Sequence, residues 1–83
     1  MYAYFFTFRS ITPAQRGAKV LDRAGIDHVL QRTPRAVQMQ GCGYCIRVHE
    51  EDYAPALRAL QANAVPYSRV FVRTPDGRWE ALP

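Results

Sequence analysis

The chain opens on Tyr2-Ala3-Tyr4-Phe5-Phe6-Thr7-Phe8, a short aromatic-rich run closed by polar Arg9-Ser10, and this pattern predicts a first strand. Thr12-Pro13 supplies a capping hydroxyl and a proline suited to the first helical position. Ala14, Ala18, Leu21 and Ala24 then recur at helical spacing until Gly25 stops them. Residues 27–32 form a short, partly apolar second strand that ends at Thr33-Pro34-Arg35, because proline cannot donate to a ladder. A polar, glycine-ended loop from Thr33 to Gly43 leads into a third strand over 44–48. Glu50, Glu51 and Asp52 place carboxylates where a helix N-terminus favours them, and Tyr53, Ala56, Leu57, Leu60 and Ala64 make the apolar stripe of a second helix. After Val65-Pro66, residues 67–73 alternate as a fourth strand and Thr74-Pro75-Asp76-Gly77 reads as a turn. Residues 78–83 hold the one tryptophan and are too few to fix a further element.

Strand, helix, strand, strand, helix, strand is the order of a ferredoxin-like α+β sandwich, with two helices on one face of a four-stranded antiparallel sheet. The expected organisation is one domain over 1–73, followed by a turn and short tail over 74–83. Alternation along the strands sends Ile46, Val48, Val70 and Val72 toward the helices. Cys45, Arg47, His49, Arg69, Phe71 and Arg73 then face outward on an open, basic and aromatic surface, a candidate face for a homodimer.

At 83 residues, with 48% apolar and 22% charged residues, the composition is that of a small globular domain rather than a disordered chain. No apolar run approaches the ~18 residues of a membrane span and no export signal is readable, so the expected compartment is a reducing cytoplasm, where a structural disulfide is not expected. The net charge is +4, and ten of the eleven basic residues are arginine. That bias suits an anionic partner, and it also follows from a GC-rich genome.

Chemistry concentrates in Gly41-Cys42-Gly43-Tyr44-Cys45. A zinc site would need four ligands, and His28 and His49 are the remaining candidates in a chain without a second such cysteine pair. A thioredoxin-like reading fails because that motif opens a helix, whereas this one precedes a strand. What remains is a loop thiol, Cys42, flanked by glycines that let backbone amides approach the sulfur, with Arg35 in the same loop and Arg47 on the adjoining strand. Such surroundings favour a reactive thiolate. A turn at Gly43 would also bring Cys45 within reach of a strained, easily reduced disulfide with Cys42.

Several stretches carry a family resemblance. Residues 4–10, the alanine-rich helix ending in Ala24-Gly25-Ile26, Thr33-Pro34-Arg35, and Cys42-Gly43 before a strand together resemble the selenium/sulfur carrier protein-like family of small bacterial domains, from about Tyr4 to Tyr67. The resemblance implies a thiol that carries persulfide or selenide, with sulfur- and selenium-transfer proteins as partners. By position, Cys42 would be the carrier thiol, Gly43 its backbone neighbour, and Pro34 and Arg35 the framing loop. Cys45 departs from the family pattern and opens a route for transfer between sulfurs. Such a carrier needs a nucleophile and access rather than turnover, and no cofactor. An alternative from another class is RNA binding, since Gln40 to Arg47 is a degenerate echo of the third-strand motif of RNA-recognition domains. Cysteine and arginine stand there in place of stacking aromatics, so nucleic acid is not the expected partner. The second alternative is plain dimerisation through the outward sheet face.

Overall fold

The structure is a computed structural model that describes residues 1–38 and 42–83. Strand β1 (Ala3–Phe8) leads to helix α1 (Ile11–Arg23), strand β2 (Val29–Arg32), a 3-10 turn (Arg35–Val37) and strand β3 (Tyr44–His49). A second 3-10 turn (Glu50–Asp52), helix α2 (Tyr53–Ala62), strand β4 (Val70–Arg73) and strand β5 (Trp79–Ala81) complete the chain. The sheet runs β2-β3-β1-β4-β5 and every neighbouring pair is antiparallel. The fold is therefore α+β with five strands, one more than the four-stranded expectation. The reason is local: the Thr74–Arg78 turn folds the chain back so that Trp79 pairs with Arg73 and Ala81 with Phe71. In that turn the Thr74 hydroxyl donates to the Asp76 carboxylate, and the Thr74 N–H donates to the Arg78 carbonyl at 2.8 Å.

Helix ends follow backbone chemistry more than the apolar stripe. The cap of α1 is Ser10 rather than Thr12, with extended backbone and no side-chain capping bond, and Pro13 falls at the third helical position. Its C-terminus closes with the Ile26 N–H bonded to the Leu21 carbonyl and Gly25 at φ 71°, the left-handed residue such a closure needs. The end of α2 repeats this arrangement with Val65 bonded to Leu60, but Ala64 holds the left-handed position at φ 53°. Ala64 thus lies past the helix instead of on its stripe. The Arg16 guanidinium crosses from α1 and donates to the Asn63 carbonyl at 2.8 Å, which satisfies an acceptor the helix end leaves open.

Phe6, Phe8, Leu21, Ile46, Val48 and Leu60 are buried between the sheet and the two helices, where Tyr53 stacks on Tyr4 with centroids 4.2 Å apart. The other face is not open. Cys45 and Phe71 do point away from the helices, yet with Phe5 they form a second core roofed by Val37 from the 3-10 turn and by Trp79 from β5. Phe71 is only 8% exposed, and the Trp79 ring tilts against Phe5 at 4.8 Å. The Arg69 and Arg73 heads lie over the Phe71 and Trp79 rings, at 5.8 and 5.9 Å from the centroids. The basic aromatic surface read from alternation is thus a covered layer with arginines along its margin.

Candidate functional site

Cys45 sits in the middle of the sheet, opposite Thr7 on β1 and Gln31 on β2, with no exposure to solvent. Its sulfur contacts the Arg32 carbonyl at 3.9 Å. Burial pushes its thiol up to about 11; the Thr33 hydroxyl and the Arg47 charge act the other way without overcoming it. Cys45 is a proton-bearing core sulfur.

Cys42 occupies a different place. The Thr33 N–H donates to the Gly43 carbonyl at 3.0 Å, so the β2–β3 ladder continues one step past Tyr44 and delivers Cys42 at the end of the sheet. There the register carries β1 past Phe8 to Arg9 alongside this segment, and the chain entering β4 arrives from the other side, with the Ser68 N–H bonded to the Thr7 carbonyl at 2.7 Å. Cys42, Arg9, Pro13, Tyr67, Ser68 and Arg69 line one groove of about 450 Å³. Cys42 is itself 5% exposed, set into the groove wall.

The two sulfurs are free thiols. Gly43 has no left-handed backbone, and a Cβ there would meet nothing within 4 Å, so the glycine makes neither a turn nor a close approach. Extended chain at ~3.3 Å per residue places residues 42 and 45 ~10 Å apart with side chains on opposite faces. A bridge requires α-carbons within ~7 Å, so the intramolecular disulfide does not fit this backbone.

Of the other residues singled out, Pro34 precedes the 3-10 turn and its carbonyl accepts from the Val37 N–H at 3.1 Å, while Arg35 is exposed. Arg47 is the fourth residue of β3, five beyond Cys42, half-buried beside His28 and His49, and its charge reaches Cys45. It does not line the Cys42 groove. His28 bonds the Ile26 carbonyl and faces Asp22 at 3.5 Å. Among the described residues no three metal-ligating side chains cluster, and no helix is long and apolar enough to cross a membrane. Gln40 and Gly41, part of the RNA-like echo and of the glycine flank, lie outside the described residues. The rings a base would stack on, Phe5 and Phe71, are under the roof of the second core.

Sequence reasoning missed Arg9, Pro13, Pro66, Tyr67, Ser68 and Arg69 as neighbours of Cys42. The signal was in the strand order: any arrangement with β1 between β3 and β4 brings the end of β1 beside the starts of both others.

A family model described as "Putative Se/S carrier protein-like" matches residues 3–72. The chain belongs to that family. The match runs from the start of β1 to within one residue of the end of β4 and stops before the last turn and β5, so the family unit includes both the Cys42 groove and Cys45. No curated protein shows significant similarity to the chain.

The burial of Cys45 has a pH consequence. A thiol whose folded value is raised from 9.0 to about 11 holds its proton in the fold and loses it in the unfolded chain. The stability this confers is complete below pH ~9 and is lost as pH rises toward ~11, by up to about 1.4 kcal/mol per unit. Urea denaturation at pH 8 and pH 10.5 should show this fall, and Cys45→Ala should reduce it. An equal fall in the variant would assign the alkaline loss to other groups.

Proposed function

We propose that this member of the family is a sulfur or selenium carrier that holds its cargo on Cys42 within a relay of chalcogen-transfer proteins. The observation that carries the reading is the contrast between two sulfurs three residues apart. Cys42 is set at 5% exposure in the wall of a surface groove, while Cys45 has no exposure and its thiol is raised to about 11 by burial. The order of the first four strands, β2-β3-β1-β4, supports the ferredoxin-like reading of the scaffold that presents the thiol.

In the transfer, the Cys42 thiolate attacks the outer sulfur of a donor persulfide. The donor's S–S bond breaks, the donor leaves as a thiolate with the electron pair, and Cys42 becomes the persulfide. The exchange is redox-neutral and needs no cofactor. The added sulfur extends ~2 Å beyond the Cys42 sulfur, out of the wall and into the groove. Delivery is the same step with an acceptor thiolate as nucleophile. With Cys45 beyond bridging distance, the loaded sulfur has no internal thiolate to discharge it.

Intact mass spectrometry after incubation with a low-molecular-weight persulfide tests this. The wild type and Cys45→Ala should each gain one sulfur atom that dithiothreitol removes, and Cys42→Ser should gain none. Loading that survives Cys42→Ser and disappears in Cys45→Ala would reverse the assignment and sink the proposal.

A further inference from the structure

Charge is divided along the strand direction. The end of the sheet that carries Cys42 also carries Arg9 after β1, Arg16 on α1 against the end of α2, Arg32 at the end of β2, Arg35 in the 3-10 turn and Arg69 before β4. All five are exposed, and no aspartate or glutamate among the described residues lies at this end: Asp22 belongs to the far end of α1, and Glu80 pairs with Val72 farther along β4. The opposite end holds six of the seven carboxylates: Asp22 and Asp27 around the exit of α1, Glu50, Glu51 and Asp52 after β3, and Asp76 in the last turn. The ion pairs among the described residues, His28–Asp22 and Arg78–Asp76, both belong to that opposite end. The arginines around Cys42 therefore carry charge that the described part of the molecule does not neutralise.

We propose that the Cys42 end of the sheet is a docking surface for a protein that presents a carboxylate-rich face. From β2 to β4 the arginines span three strand spacings, ~14 Å, which suits a folded surface better than a single small anion. Like charges held together on one end steer an acidic partner and turn it toward the thiol before contact. A protein is favoured over nucleic acid because the stacking rings of the sheet are roofed. The identity of the partner as a donor or acceptor of sulfur rests on the carrier reading of Cys42, but the surface itself does not.

The test uses hexaglutamate as probe and the 15N-labelled chain as receptor, with no sulfur chemistry involved. Saturable amide shifts are expected at Arg9, Arg32, Arg35 and Arg69, and they should collapse in 0.5 M salt. Arg32→Glu/Arg35→Glu changes two exposed side chains and should weaken binding at least ~10-fold. The absence of saturable shifts, or shifts centred on Arg47, on Arg58 in the middle of α2, or on Arg73, overturns the proposal. Binding of a hexauridylate without binding of hexaglutamate overturns it in favour of nucleic acid. Shifts at the same arginines that grow with protein concentration alone overturn it in favour of a second copy, seated by its acidic end. Loss of persulfide loading on Cys42 would leave the peptide result intact, and failure of the peptide would leave loading intact, so the two readings fail separately.

Discussion

Deleting residues 74–83 should cost the fold about 3 kcal/mol or more and leave a chain that aggregates. The turn and β5 supply Trp79, which covers Phe5, and Leu82, whose N–H bonds the Val70 carbonyl at 2.9 Å and whose side chain packs on the helix-side core. Removing a packed tryptophan alone costs ~3–5 kcal/mol. A domain of this size has only ~4–12 kcal/mol in total. Deletion would also strip the pairing partner from β4 and expose an apolar edge, a template for association between chains. The single substitution Trp79→Ala separates the two effects, since it keeps the strand and opens the roof. In it, Cys45 should become open to alkylation at a denaturant concentration where the wild type still protects it. A truncated chain with unchanged urea midpoint, together with a protected Cys45 in Trp79→Ala, would mean that the second core stands without β5.

The second large effect is expected at Gly17, buried on the inner face of α1. A Cβ there would lie 3.1 Å from Ile46 Cδ1, 3.3 Å from Phe8 Cζ and 3.4 Å from Leu60 Cδ2. Gly17→Leu places three further carbons in space those side chains already fill, so the helix must lift from the sheet. The cost should be about 3 kcal/mol, at the upper end for overpacked cores. Gly17→Ala should remain within about 1 kcal/mol of wild type, because the helix propensity gained by losing glycine offsets a crowding of a few tenths of an ångström. Urea denaturation of both variants decides it; a Gly17→Leu protein as stable as wild type would show that α1 tolerates displacement.

Local signals made the two helices and the first four strands legible. Gly25 ends α1 by backbone freedom, and the stripe of Tyr53, Ala56, Leu57 and Leu60 has no competing period. Pairing partners drawn from distant sequence determined the rest. Trp79-Glu80-Ala81 is one alternation long and becomes a strand because β4 has a free edge beside it. Cys45 and Phe71 were correctly turned away from the helices, but a period of two cannot say that Val37 and Trp79 return over them. At the site, the entry of Cys42 into β3 was readable from Gly43 and the apolar run that follows. Its arginine neighbours were sought nearby in sequence, at Arg35 and Arg47, whereas the groove takes Arg9 and Arg69 from the ends of other strands. The turn imagined at Gly43 is absent because the ladder with β2 already claims its carbonyl.

That same bond between Thr33 and Gly43 sets how cargo could travel. Carriers that shuttle a group between distant sites hang it from a long flexible arm, and the arm does the moving. Here the thiol is one rotatable bond from a backbone whose next residue, Gly43, is tied into the sheet, so rotation about χ1 moves it by only a few ångströms. If Cys42 holds the cargo as proposed, the whole domain is the moving part, released from one partner and presented to the next. On that reading each partner would also bring a protruding reactive group into the groove, because the sulfur cannot come out to meet it.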